Sequence, residues 1–454
     1  MGHTHASGFE QGHKQSNNQN NGEVSAFYWA CRNGDIELAK AMAPDIPYDQ
    51  LNRLEPNGST PLHAASFFSH ADVVELLLHE YGVPRNYVNQ YGLTAYEEAQ
   101  TERVKRLFWR VSNRFCDPQE NVTDTFDILA VKADEIENNR SIFNTEDEHE
   151  EDTKEAPEQS IWLQSYQAKD IKEEIYYYRK GKALIQSSIA RFIMRQGPKF
   201  CPHCKQNKEV MNEFISYFDD ATFRVNKLKA IVYECVPPTD KYYNRCHQLL
   251  TEYSEKGNVE ALLTLYTLET EFYKKIANAC QAISWSIYIT LPSLEQRFFK
   301  GTSYRGLKMS KEEINQYRWA LKNSESLIKT KTFSSTSIKR DTAEGFAVGS
   351  DSDRFSVLII LEFPEVSDMA INLGKIEKQK LQCIAEFEEE QEVLILPQTF
   401  FRVKNIEFNT EKDQHEIHLQ NILVKKSSLL SALKFMIVRD EEPKLIDYYV
   451  SHKF

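Results

Sequence analysis

The chain changes its hydrophobic rhythm along its length. In the first quarter, apolar residues recur at helical spacing. In ADVVELLLHEYG, Val73, Val74, Leu76, Leu77 and Leu78 make one face that must be buried. Helical periodicity returns in IKEEIYYYRKGKALIQSSIARFIMR (171–195) and NEFISYFDDATFRVNKLKAIVYE (212–234). From Asp240 three further helices are predicted. The first, YYNRCHQLLTEYSEKGN, ends at Gly257, a residue suited to a left-handed C-cap. VEALLTLYTLETEF and YKKIANACQAISWSIYITL follow. The pattern then turns to strands: GTSYRGL, TKTFSSTS, SVLIILEF, MAINL, EVLIL, FFRVKNIEF and EIHLQNILV. Val357–Phe363 is almost continuously apolar, as a central strand covered on both faces would be. HEIHLQNI alternates cleanly and is expected to be an antiparallel strand with one wet face. Helices followed by a mostly antiparallel sheet define an α+β unit.

Two stretches near the N-terminus repeat one another. NGSTPLHAA (57–65) returns as YGLTAYEEA (91–99), so Gly58 and Thr60 reappear as Gly92 and Thr94, 34 positions on. AFYWACRNGDIELAKAM (26–42) is an earlier, degenerate copy. Thr60 and His63 can hydrogen-bond around the turn, Pro61 suits the first helical position, and Ala64 lets paired helices approach closely. TPLH followed by such a helix is similar to the ankyrin repeat. The resemblance implies an α-helical stack of about two and a half units that binds a protein partner.

The chain is thus read as multi-domain. A disordered tail (1–22) precedes the ankyrin-like repeats (23–110), a linker with an acidic run (111–160) and a helical spacer (161–239). The α+β domain (240–428) and a C-terminal extension (429–454) follow. The tail is rich in Gln, Asn, Gly and His, including His3, His5 and His13, and has almost nothing to bury. The acidic run holds eight carboxylates in 144–160 but lacks the Gly and ligand spacing of a calcium loop. Cys201-Pro202-His203-Cys204 has neither the second ligand pair of a zinc site nor the βαβ context of a redox motif, so it is read as a turn with free thiols. No metal is expected.

Composition narrows the function. The 454 residues are 41% hydrophobic and 27% charged, with a net charge of −12, which argues against nucleic acid as a partner. No apolar run is long enough to span a membrane, and no secretory signal is expected. Ala6 stands where N-myristoylation needs Ser or Thr. Eight irregularly spaced cysteines are read as reduced thiols, and the protein as cytoplasmic.

The candidate chemistry lies in three ordered strings: Tyr304-Arg305-Gly306, Phe333–Ser337 (FSSTS) and Glu390–Leu394 (EQEVL). Arg305 at a strand end, beside side-chain-free Gly306, can approach a pyrophosphate and bind it with two prongs. Ser335, Thr336 and Ser337 offer hydroxyls alternating across a strand, able to point one to a ligand and one to the sheet edge, and with Arg305 and Gly306 they are the expected cofactor-binding set. Glu390 and Glu392 at a strand start would point the same way. Paired carboxylates suit departure of a group from a sugar carbon, where positive charge develops.

Residues 240–428 resemble the catalytic domain of arginine-specific mono-ADP-ribosyltransferases and of bacterial toxins with the same Arg-Ser-Glu order. YTLETEFYKKIANA and EVLILPQTFFRV add to the likeness. The resemblance implies a split, mostly antiparallel β-core with NAD as co-substrate. By that likeness Arg305 holds the NAD phosphates or the nicotinamide ribose, and Ser335 orders the catalytic glutamate. Glu392 bonds the ribose 2′-hydroxyl and stabilises the developing cation, and Glu390 orients the acceptor arginine. Phe346 matches an aromatic packed near nicotinamide. The turn Ile384–Glu389, with Phe387, corresponds to the acceptor-recognition loop, and Ala385 and Glu386 stand where relatives often carry Ser or Thr. The implied function is transfer of ADP-ribose from NAD to a protein arginine with release of nicotinamide. The alternatives are an NAD glycohydrolase, or an ankyrin adaptor with an inactive transferase domain. NAD against NADP is left open.

Overall fold

The computed structural model describes residues 23–110, 126–129, 220–272, 281–323, 326–347 and 354–425, with isolated positions between 179 and 216 and at 428 and 430. The tail, the acidic run, the Cys201–Cys204 pair, most of the helical spacer and most of the C-terminal extension lie outside the described residues. Contacts divide the chain into two compact units. One comprises residues up to Leu78 together with Tyr87–Leu107. The other comprises His79–Asn86 and everything from Phe108 onward.

The first unit is built of helix pairs: Ala26–Asn33 with Ile36–Met42, Pro61–Phe67 with Ala71–Glu75, and Ala95–Glu98 with Glu102–Leu107. Each pair begins at a polar cap. The Ser25, Thr60 and Thr94 side chains accept from the backbone N–H three residues on, and Thr94 with Glu97 completes a capping box. His63 is buried between copies. Its Nε2–H donates to the Leu93 carbonyl at 2.9 Å, leaving Nδ1 to accept from the Thr60 hydroxyl at 2.8 Å. One TPLH motif therefore fastens its own turn and the turn of the next copy. Gly58 sits at φ +75°, where a Cβ would meet Gln90, so the turn itself demands glycine.

The second unit holds an eight-stranded sheet in the order β1-β3-β7-β8-β5-β2-β4-β6. The strands are β1 (Phe126–Leu129), β2 (Phe298–Met309), β3 (Leu327–Thr330), β4 (Ser334–Ser337), β5 (Phe355–Asn372), β6 (Glu392–Ile395), β7 (Phe400–Asn409) and β8 (Gln414–Asn421). β5 also pairs with β6, so β5, β2, β4 and β6 close on one another like a small barrel. All pairings are antiparallel except β5–β8.

Several elements differ from the sequence reading. TKTFSSTS spans the end of β3 and all of β4, with Lys331–Phe333 between them. SVLIILEF and MAINL fuse into the 18-residue β5, because β2 accompanies it past the exposed Pro364–Val366. β8 does alternate, but it is parallel to β5 and antiparallel to β7, so it lies inside the sheet. β1 falls in the stretch read as linker and pairs with β3 along its whole length. Helix Lys311–Lys322 was not anticipated, although Ser310 and Glu313 form a capping box at its start.

Two cores flank the strands. On one side, helices Tyr243–Lys256, Val259–Thr267 and Gln281–Thr290 bury Leu250, Leu262, Leu263, Tyr266 and Trp285 against Ile371, Leu394 and Phe400. On the other, Ile314, Tyr317 and Ala320 of helix Lys311–Lys322 cover Ile359, Val393, Ile395 and Phe401. Gly257 caps its helix at φ +64° as expected.

Candidate active site

β4 is the shared element of the site. It pairs with β6 over its full length, Ser335 opposite Leu394 and Ser337 opposite Glu392. It meets β2 at one point, Tyr304 opposite Ser337. Arg305 therefore sits in the middle of a twelve-residue strand and not at a strand end. Its guanidinium reaches β4, where Nη1 donates to the Ser335 carbonyl at 2.9 Å. Arg305, Ser335 and Glu392 are all buried.

Three hydroxyls of β4, those of Ser335, Thr336 and Ser337, have partners within the protein. Thr336 donates to the Val393 carbonyl at 2.8 Å, and Ser337 to the Glu390 carbonyl at 2.6 Å. Both therefore hold the glutamate segment in place. Ser335 Oγ lies 3.2 Å from the Tyr266 hydroxyl. Gly306 also serves the frame: a Cβ there would fall 1.8 Å from the Ala343 carbonyl of helix Arg340–Ala347. Phe346 lies in that helix and is half-buried.

The two glutamates are not aligned by strand alternation. Glu390 closes a 3-10 turn, Gln391 adopts φ +44°, and Glu392 opens β6. The left-handed residue between them turns the chain, so Glu390 belongs to the loop and Glu392 to the sheet. The loop is fastened to helix Val259–Thr267, since Thr264 Oγ1 donates to the Ile384 carbonyl at 2.7 Å and Glu386 N donates to Thr267 Oγ1 at 2.9 Å.

Two arginines from before β1 enter this loop. Arg85 Nη1 donates to Glu386 Oε1 at 3.3 Å and to the Tyr242 hydroxyl at 3.2 Å. Arg110 grips Glu390 with two prongs, Nε to Oε1 at 2.8 Å and Nη2 to Oε2 at 3.1 Å. Both guanidinium groups lie near the Phe387 ring, with Cζ 4.9 Å from its centroid for Arg85 and 3.9 Å for Arg110. Burial pulls the Arg110 pKa down, but the Glu390 carboxylate more than reverses that, and the group stays charged. Glu389 behaves oppositely: burial, and then repulsion from Glu390, push its carboxyl up to about 8. Sequence reasoning missed Arg85, Arg110 and the role of Tyr266. Tyr266 stood in a quoted string, but the carboxylate partners of Arg85 and Arg110 lie 301 and 280 residues away, and nothing local marks them.

Among the described residues, Glu407, Glu416 and His418 place ligand atoms within 4.8 Å of one another. Glu416 is already bonded to Arg340 and Asn409. Cys31, Cys235, Cys246 and Cys383 are free thiols, and burial pushes Cys31 and Cys246 up to about 12.

Residues 7–90 match the family model "Ankyrin repeats (3 copies)". No curated protein matches the chain. Among solved structures, the chain is similar to the ADP-ribosyltransferase HopU1 of Pseudomonas syringae pv. tomato DC3000, at 14% identity over 39% of this chain and 87% of that one, with a TM-score of 0.29. It is similar to the Vis toxin, an ADP-ribosyltransferase from Vibrio splendidus, at 18% identity over 50% and 93%, TM-score 0.23. It is also similar to the type III effector XopAI of Xanthomonas axonopodis pv. citri, at 16% identity over 61% and 96%, TM-score 0.26. No helix among the described residues is long and apolar enough to cross a membrane.

Proposed function

We propose that the second unit is an NAD-dependent mono-ADP-ribosyltransferase that modifies protein arginine. The observation that carries the reading is the linkage of three strands at one point. Arg305 is bonded to the backbone of Ser335, and Ser337 is in register with Glu392 and bonded to the backbone of Glu390. The donor set suits a dinucleotide. A guanidinium fits an anionic diphosphate, and a carboxylate fits a ribose hydroxyl and the positive charge that builds on the sugar as nicotinamide departs.

In this reading Arg305 binds the phosphates or the nicotinamide ribose, and Ser335 positions Glu392. Glu392 bonds the ribose 2′-hydroxyl and stabilises the cation. Gly306, Thr336 and Ser337 act through the frame, and Phe346 packs toward nicotinamide. Glu390, beside Phe387, receives the acceptor guanidinium and helps remove its proton. The ankyrin unit selects a protein partner. Its exposed Trp29, Phe67, Phe68 and Tyr91 offer aromatic surface for that purpose.

The test is incubation of the full chain with labelled NAD and an arginine-rich protein. The expected result is acceptor label that neutral hydroxylamine removes. Nicotinamide release with no acceptor label would favour the glycohydrolase reading, and no NAD turnover would favour the adaptor.

A further inference from the structure

Glu390, the carboxylate assigned above to the acceptor, already holds a guanidinium. We propose that Phe387, Glu390 and the Thr267 carbonyl form a guanidinium-binding pocket, and that Arg110 fills it as an internal stand-in that an incoming arginine must displace. The proposal rests on the reading of Glu390 as the acceptor carboxylate.

Four observations support it. The pairing is the two-pronged form by which a carboxylate recognises a planar guanidinium, with contacts of 2.8 and 3.1 Å. A third contact runs from Nη2 to the Thr267 carbonyl at 3.3 Å, so the pocket reads the edge of the group as well as its charge. The Phe387 ring lies 3.9 Å from Arg110 Cζ, close enough for a cation–π contact. Both side chains are almost fully buried, at 2% for Arg110 and 4% for Glu390.

Arg85 differs. Its carboxylate, Glu386, is shared with Arg245, whose Nε lies 3.8 Å from Oε2, and Tyr242 takes a further bond. That cluster braces the loop. Among the described residues, Arg110 is the only basic side chain in an ion pair with Glu390.

A resident occupant lowers the apparent affinity for an external ligand by the fraction of time the pocket is open. If Arg110 is seated nine-tenths to ninety-nine hundredths of the time, guanidinium ligands bind about ten- to a hundredfold more weakly than the pocket allows. The protein would then modify an arginine only when Arg110 is drawn aside.

The experiment uses the full chain without NAD, with agmatine as the guanidinium probe and putrescine as the amine control. Binding and melting temperature are measured for the wild type, Arg110→Ala, Arg110→Lys and Arg110→Ala/Glu390→Gln. Arg110→Ala is expected to lose stability, to bind agmatine at least tenfold tighter than the wild type, and to regain melting temperature with agmatine but not with putrescine. Arg110→Lys, which keeps a charge but not the fork, is expected to bind agmatine tighter than the wild type even if the alanine variant does not fold. The double variant is expected to lose the gain. Equal agmatine affinity in the wild type and in whichever single variant folds, with no thermal recovery, would overturn the proposal. Tight agmatine binding in the variants with no NAD-dependent label on arginine would leave the pocket standing and remove the transferase reading. Equal agmatine affinity alongside efficient arginine labelling would do the reverse.

Discussion

At the scale of single residues, the acidic run 388–390 contains two neighbours with opposite fates. Glu390 is paired with Arg110, while burial and that same neighbour push Glu389 up to about 8. A carboxyl raised in the folded state stabilises the fold while protonated. Its contribution is complete below the unfolded value near 4.5 and is lost as pH rises toward 8. Stability is therefore expected to fall between pH 5 and 8 by up to about 1.4 kcal/mol per pH unit from this group. Urea unfolding of Glu389→Gln across that range should show a flatter profile, and an unchanged slope would remove Glu389 as the cause. His63 works in the other direction. Burial lowers its pKa to about 4, so its contribution is present above 6.5 and is lost as pH falls toward 4. Thermal melts of His63→Gln are expected to lose the acid-side decline in the ankyrin unit.

At the scale of elements, the order Arg, Ser, Glu was legible in the sequence, and so were most strands around it. What was not legible is how the strands use their residues. Gly306 was read as access to a phosphate, yet its missing side chain makes room for the Ala343 carbonyl. Gly306→Ala must push helix Arg340–Ala347 off β2, at a cost of about 1–3 kcal/mol or more in unfolding free energy. An urea midpoint unchanged from wild type would contradict that packing. The paired glutamates were read as strand neighbours, but the positive φ of Gln391 separates them into loop and sheet. No residue type announced that turn, because Gln rarely adopts it. The capping box at Ser310 and Glu313 is the local sequence signal for helix Lys311–Lys322.

At the scale of the whole molecule, the repeat was plain in the sequence because one turn needs Gly58, Thr60, Pro61 and His63 in fixed order. The limits of the second unit were not, because the unit is discontinuous. His79–Asn86 and Phe108–Arg110 join residues hundreds of positions away through buried ion pairs. Removing one partner of such a pair leaves an uncompensated buried charge, at a cost of about 3–5 kcal/mol. Arg85→Ala is expected to show a loss of that size in chemical denaturation, and a truncation starting near Asp240 to fare worse. The central claim concerns the two glutamates, and one paired assay on the full chain reaches it: nicotinamide release and arginine labelling from NAD with saturating agmatine. Glu392→Gln is expected to lose both by about 10²–10³-fold or more, since cation stabilisation serves hydrolysis and transfer alike. Glu390→Gln is expected to lose labelling and keep nicotinamide release. Undiminished labelling by Glu390→Gln, or NAD turnover surviving intact in Glu392→Gln, would contradict the account.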